Sequence, residues 1–163
     1  QGDSPSQKGK FTRFANDIIQ VLKESGQRHP VKDMKTPTAG RCVFIVAYPG
    51  NRGRKPALHR DDLAAGYFSV FVLLTPITEE NGCVDVYKNS EKCPRDCKVC
   101  TEKVIQNLEP SCRVPVRMIG DVGDIITFDG RLLHQSDVNS TDEKRVLFSF
   151  SLYDSSTHKK YIN

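Results

Sequence analysis

The sequence predicts a mainly β chain with flanking helix, folded as a barrel or jelly roll. Three observations carry that expectation. Val, Ile, Phe and Thr gather in short runs of strand length. Turn signals such as Pro49-Gly50, Glu80-Asn81-Gly82 and Asp129-Gly130 separate those runs. One segment near the start carries apolar residues at helical spacing. At 163 residues the chain has room for one domain with a real core and too little for two comfortable ones.

The elements follow in order. Residues 1–9 are polar and bear Gly, Ser and Pro, and Gln1-Gly2 matches the pair left around a tag-protease site. They are read as a disordered or tag-derived end. Phe11, Phe14, Ile18, Val21 and Leu22 predict an amphipathic helix over about 10–25, stopped by Gly26. A polar stretch runs to Gly40. Strands are then expected over 41–48, 67–75, 83–87, 114–119, 125–128 and 145–153, with His59 and Asp61 on alternate residues of a further strand. Residues 89–113 break the rhythm with four cysteines, several charges and two prolines, and read as a Cys-rich insertion in a single domain spanning 10–163.

Composition excludes little beyond membrane spans. The longest apolar run, Val70-Phe71-Val72-Leu73-Leu74, falls far short of the roughly 20 residues a membrane helix needs. A net charge of +4 permits an acidic partner without demanding one. The compartment stays open, with a soluble intracellular setting slightly favoured.

The chemistry concentrates in His59-Arg60-Asp61, the later His134 and Arg145. Two imidazoles and one carboxylate form the facial triad that holds Fe(II) and leaves adjacent positions open. His-x-Asp puts both side chains on one face of a strand, because strand side chains alternate. A lone His-x-Asp is common by chance, and a lone His134 is more often a core or surface histidine. With four histidines in the whole chain, the conjunction carries the argument. Arg145 follows His134 by eleven residues, so it could sit on the next strand and face the carboxylate of an acidic co-substrate. An arginine at a strand start is otherwise a solvated rim charge. Asp62 could compete with Asp61 as ligand, but the two-residue spacing favours Asp61.

These residues lie in segments that resemble the Fe(II)/2-oxoglutarate-dependent dioxygenase superfamily over about residues 40–154. Gly123-Asp124-Ile125-Ile126-Thr127-Phe128 leading through Asp129-Gly130 to His134 and Ser136 looks like its Gly-Asp strand before the distal histidine. Asn139 and the strand from Arg145 to Leu152 match the ensuing turn and co-substrate strand. Glu80-Asn81-Gly82, with Asn89-Ser90-Glu91-Lys92 after it, is similar to the phytanoyl-CoA dioxygenase-like branch, Glu91 standing where that branch has histidine. Tyr48-Pro49-Gly50 ahead of His59 looks like the prolyl-hydroxylase-like branch, which often uses lysine at the position of Arg145.

The resemblance implies a double-stranded β-helix (jelly-roll) core. It also implies Fe(II) held by His59, Asp61 and His134, with 2-oxoglutarate chelating the metal and pairing its far carboxylate with Arg145. The reaction would hydroxylate a substrate with release of succinate and CO2, and ascorbate is a candidate reductant. Asp61 favours hydroxylation over halogenation, where family members lose that carboxylate. Tyr48, Tyr67 and Ser136 are candidate pocket residues.

Cys93, Cys97, Cys100 and Cys112 could hold a structural zinc, form two disulfides, or remain free thiols, since spacing does not fix connectivity. An iron–sulfur reading of the first three fails on context, because those enzymes are much longer α/β barrels. Cys42 and Cys83 read as buried thiols. Asn139-Ser140-Thr141 is a glycosylation sequon that the family turn already explains. Arg52, Arg54, Lys55 and Arg60 read first as a solvated loop, and alternatively as a basic rim drawing an anionic substrate to the metal. The expected partner is a small molecule or a protein side chain, with nucleic acid less favoured and the oligomeric state open. Two other functions remain: a non-catalytic jelly-roll binding module, and a cupin-type metal dioxygenase that does not use 2-oxoglutarate. The intact triad argues against the first and Arg145 against the second.

Overall fold

Strand-forming runs from distant parts of the chain assemble into two facing antiparallel sheets in the computed structural model, which describes residues 5–50, 57–92 and 102–157. The larger sheet contains β1 (Pro37–Ala47), β2 (Tyr67–Leu73), β5 (Ile125–Asp129) and β7 (Arg145–Asp154), in the order β1-β7-β2-β5. The smaller contains β3 (Val84–Val86), β4 (Val116–Met118) and β6 (His134–Ser136), in the order β4-β3-β6. This is the jelly-roll arrangement expected from the sequence.

Period-two alternation sorts the large sheet into two faces. Val70 and Val72 of β2, with Phe148, Phe150 and Leu152 of β7, face outward under helix α1 (Pro5–Glu24). Phe71, Leu73, Phe128 and Leu147 face inward and meet Val84 and Val86 of the small sheet. The apolar stripe of α1 is Ala15, Ile18, Ile19 and Leu22, with Phe11 packed beside it. Each large side chain so buried contributes roughly 1.5–3 kcal/mol.

Several sequence expectations shift. Helix α1 begins at Pro5, inside the stretch read as a frayed end, and proline at a helix start loses no needed N–H. Phe14 and Val21 are 42% and 57% exposed, because each lies about 100° around the helix from its buried neighbour. Strand β1 begins four residues early, at Pro37, while β3 and β4 are only three residues each. The polar stretch before β1 contains a 3-10 turn at Pro30–Asp33 that tucks Val31 beneath α1. Residues 57–62 form no strand; a single β-bridge joins His59 to His134. Among the described residues of 89–113 there is no strand, only the short helix α2 (Glu102–Gln106) and 3-10 turns at Ser90–Lys92 and Pro110–Cys112. No helix among the described residues is long and apolar enough to cross a membrane.

The open end of the large sheet is tied by Asp154. Its carboxylate accepts from the Lys35 and Thr36 amides, at 2.7 and 3.1 Å, and from the Ser156 amide and hydroxyl, at 2.9 and 2.7 Å. The Ser156 hydroxyl first, then these amides, hold its pKa well below the usual carboxylate range. A depressed folded-state pKa means the stabilisation is complete above the unfolded value of about 3.9 and is lost as pH falls below it. Asp154→Asn should therefore lower the thermal midpoint at pH 7, with the gap to wild type narrower at pH 3 and closing only as pH falls further, through the folded-state pKa. An equal gap at both pH values in thermal unfolding would exclude this account.

Candidate metal centre

The jelly roll brings His59, Asp61 and His134 to one point. His59 and His134 are cross-strand partners whose backbones exchange both N–H···O bonds, at 3.0 Å each. Their rings therefore lie side by side, with centroids 4.3 Å apart. The Asp61 amide donates to Gly130 O at 3.0 Å, which anchors the short segment between the two ligands. Gly130 is required there: a Cβ would stand 2.6 Å from Tyr67 Cδ1. The neighbours of the ligands point the other way. Leu58 and Leu133 join a buried cluster with Tyr87, Leu108 and Cys112.

The histidine tautomers are set by local backbone. His59 Nδ1 lies 2.8 Å from Ala57 O, and His134 Nδ1 lies 2.9 Å from Leu132 O. Each Nδ1–H donates to a carbonyl two residues back, which leaves both Nε2 lone pairs facing Asp61. The Asp61 oxygens stand 3.7 Å from His59 Nε2 and 3.6 Å from His134 Nε2. All three ligand atoms lie within 4.8 Å of one another. Burial, opposed by the Asp61 charge and reinforced by His59, lowers the pKa of His134 and keeps the ring in its neutral, metal-ligating form. Two imidazoles and one carboxylate fit a divalent iron.

Ser69, which sequence reasoning missed, completes the carboxylate's setting. It is 3% exposed on the inward face of β2, and its hydroxyl donates to Asp61 Oδ2. The signal was there: Ser69 is a polar residue at an inward position of an apolar strand. Removing this outer partner should cost about tenfold in metal affinity. Ser69→Ala should thus bind Mn(II) or Fe(II) more weakly at unchanged thermal stability, and an unaltered titration would exclude the role. Asp62 is placed otherwise. Its Oδ1 accepts from the Leu63 and Ala64 amides, both at 2.7 Å, so it shapes the turn and is not among the grouped ligand atoms.

A cavity of about 600 Å³ opens over the triad, lined also by Tyr67, Ser136, Ser149 and Ser151. Tyr67 and Ser136 thus lie where the sequence suggested. Tyr48 does not: it is 58% exposed, its ring lies 5.2 Å from Lys144 Nζ, and it is not among the lining residues. The cause is alternation: Ala47 pairs with inward-facing Arg145 at the end of β1, so Tyr48 falls on the outward side with Phe44 and Val46.

Arg145 is 2% exposed at the start of β7, and its Nη1 donates to Gly82 O. Its Nε has no hydrogen-bond partner, and no carboxylate is paired with it among the described residues. Burial lowers its pKa, the mark of an uncompensated cation. It shares the inward face of β7 with Leu147, Ser149 and Ser151, but is not among the residues lining the cavity. A buried guanidinium lacking an anion fits a carboxylate-bearing co-substrate.

Arg60 corrects the basic-rim reading. It is 3% exposed, donating to Arg131 O at 2.9 Å and Ser90 O at 2.7 Å, so it braces the site from behind. Arg52, Arg54 and Lys55 lie outside the described residues, as do Cys93, Cys97 and Cys100. Cys112 is buried, with no disulfide partner among the described residues, and Asn89 Nδ2 approaches its sulfur at 3.2 Å. Cys83 is buried as expected, whereas Cys42 is half-buried. Asn139 is 1% exposed with its amide donating to Ala47 O and Glu143 O, so it serves as the buried brace of the turn before β7.

A model of the phytanoyl-CoA dioxygenase family matches residues 11–147. Among curated protein sequences none matches the chain. Among solved structures it is similar to EctD from S. alaskensis, crystallised with 2-oxoglutarate and 5-hydroxyectoine, at 25% identity over 74% of this chain and 45% of that one, TM-score 0.63. It is also similar to EvdMO1, at 17% identity over 94% of this chain and 45% of that one, TM-score 0.63. A third is SnoK, a non-heme alpha-ketoglutarate-dependent carbocyclase from nogalamycin biosynthesis, at 18% identity over 74% and 51%, TM-score 0.59. The chain spans about half the length of these solved proteins.

Proposed function

Because this chain belongs to the phytanoyl-CoA dioxygenase family, we propose that it is an Fe(II)- and 2-oxoglutarate-dependent oxygenase that hydroxylates its substrate. The observation that carries the reading is the convergence of His59 Nε2, Asp61 and His134 Nε2 at the wall of one cavity. The uncompensated Arg145 on the same inward sheet face, and the 2-oxoglutarate held by EctD, support the co-substrate. Iron with 2-oxoglutarate supplies oxygen activation coupled to release of succinate and CO2.

The chain's own residues do the positioning. The Ala57 and Leu132 carbonyls hold the two imidazoles in their ligating tautomer, and Ser69 holds the Asp61 carboxylate. Phe71 and Val84 line the cavity beside the triad and exclude water from the reacting end. Retention of Asp61 favours hydroxylation, because the metal keeps its full protein ligand set. SnoK, a carbocyclase on a similar fold, means that the fold alone does not fix the reaction.

The test is anaerobic addition of Fe(II) and 2-oxoglutarate, which should give the weak visible charge-transfer band of the chelate. Bound iron without the band would favour a cupin-type enzyme that does not use 2-oxoglutarate, and absence of iron binding would favour a binding module.

A further inference from the structure

Strand β1 carries a bulge at the cavity mouth. Ala39 pairs with Leu152 and Cys42 pairs with Phe150, so Gly40 and Arg41 together oppose the single inward-facing Ser151. Bulges of this kind re-aim a side chain beside a site. Here the bulge turns Arg41 toward the cavity, where it joins His59, Asp61 and Tyr67 among the lining residues. Gly40 makes the bulge possible. A Cβ there would overlap the Ser151 hydroxyl and stand 3.0 Å from Tyr153 Cε1.

We propose that Arg41 is a substrate anchor, binding the anionic head of a small, otherwise apolar acid whose aliphatic end lies at the metal. The proposal rests on the oxygenase reading of the same cavity. Three features carry it. Arg41 is exposed and held in no ion pair among the described residues, so its guanidinium is available. Tyr67 and Ser151, hydrogen-bonded to each other, set two hydroxyls at the same mouth. The cavity walls include Val43, Ile45, Phe71 and Val84, apolar surface for a hydrocarbon chain, beside the neutral hydroxyls of Ser69, Ser136 and Ser149, and none of these supplies a second cation. An arginine on an edge strand otherwise serves to discourage strand pairing. That role alone does not account for its place among the residues lining the cavity over the triad.

The experiment uses Mn(II)-loaded protein saturated with 2-oxoglutarate, with hexanoate and its neutral amide hexanamide as probes, read by paramagnetic relaxation of probe protons. Hexanoate should bind saturably, with its methyl end relaxed more strongly than its α-methylene. Arg41→Gln should weaken it about tenfold, as expected for loss of one charge-assisted hydrogen bond. Arg41→Lys should retain most of the affinity, and hexanamide should bind as weakly to wild type as hexanoate does to the glutamine variant. The proposal is overturned by hexanoate binding that Arg41→Gln leaves unchanged, by equal binding of hexanamide, or by no saturable binding. It is also overturned if Arg41→Gln abolishes 2-oxoglutarate binding, since Arg41 would then clamp the co-substrate. If Mn(II) binds and 2-oxoglutarate does not, the oxygenase reading fails separately. The hexanoate titration with Mn(II) alone then still reads Arg41, because a carboxylate on the metal would reverse the relaxation gradient.

Discussion

Replacing His134 by alanine should abolish Fe(II) binding and, with it, the visible band of the 2-oxoglutarate complex. Two protein ligands would remain, and neither His59 nor Asp61 has a neighbour within the ligand group to substitute for the third. The effect on the empty protein is separate. His134 is 3% exposed, its ring centroid is 4.8 Å from that of Phe128, and truncating a buried aromatic ring costs about 3 kcal/mol. Asp61→Ala separates the two consequences, because the Asp61 side chain is 32% exposed and its removal leaves no buried void. Both variants should lose metal in a titration, while Asp61→Ala keeps a thermal midpoint near wild type. Metal binding by a folded Asp61→Ala protein at wild-type affinity would rule out the triad. Burial holds His134 below the ordinary imidazole pKa, so proton competition at this ligand sets in only at lower pH than for a free histidine.

Arg145→Gln should weaken 2-oxoglutarate binding by about ten- to a hundredfold while Fe(II) binding persists, since a hydrogen bond to a charged group is worth roughly 1.5–3 kcal/mol. The buried guanidinium carries an unpartnered Nε, so the co-substrate carboxylate would supply an anion missing from the protein's own contacts. Its Nη1 is engaged by Gly82 O, and binding would have to share or displace that contact. Arg145→Lys should recover only part of the affinity, because an ammonium cannot present the two-pronged donor of a guanidinium. Titrating the visible band against 2-oxoglutarate reads all three proteins on one scale. An unchanged dissociation constant in Arg145→Gln would assign Arg145 to the structure of the β7 start and leave the co-substrate to another cation.

Much of this was legible in sequence because strand periodicity is local. The apolar runs of β2, β5 and β7 announced themselves, and alternation in β7 already separated Phe148, Phe150 and Leu152 from Ser149 and Ser151. The metal group was legible because few histidines compete for the role. The failures have physical causes. Val21 fitted a helical spacing but sits at the edge of a stripe whose centre only the sheet defines. Arg60 looked like one more rim charge, yet alternation around His59 and Asp61 turns it inward to Arg131 O and Ser90 O. Tyr48 seemed part of the pocket, but alternation along β1 puts it on the outward side.

By itself the sequence determined the β scaffold and picked out His59, Asp61 and His134 as a candidate metal group, with the cation at the start of the last strand, since each follows from residue type and short-range spacing. Only the tertiary structure decided how they serve one another. It paired His59 with His134, set Ser69 against Asp61, left Arg145 without an anion among the described residues and turned Arg41 into the cavity through the bulge. Those facts depend on register between strands far apart in the chain. Alternation within a strand sorts its side chains into two faces, but which residues of a distant strand stand opposite them is fixed only when the strands pair.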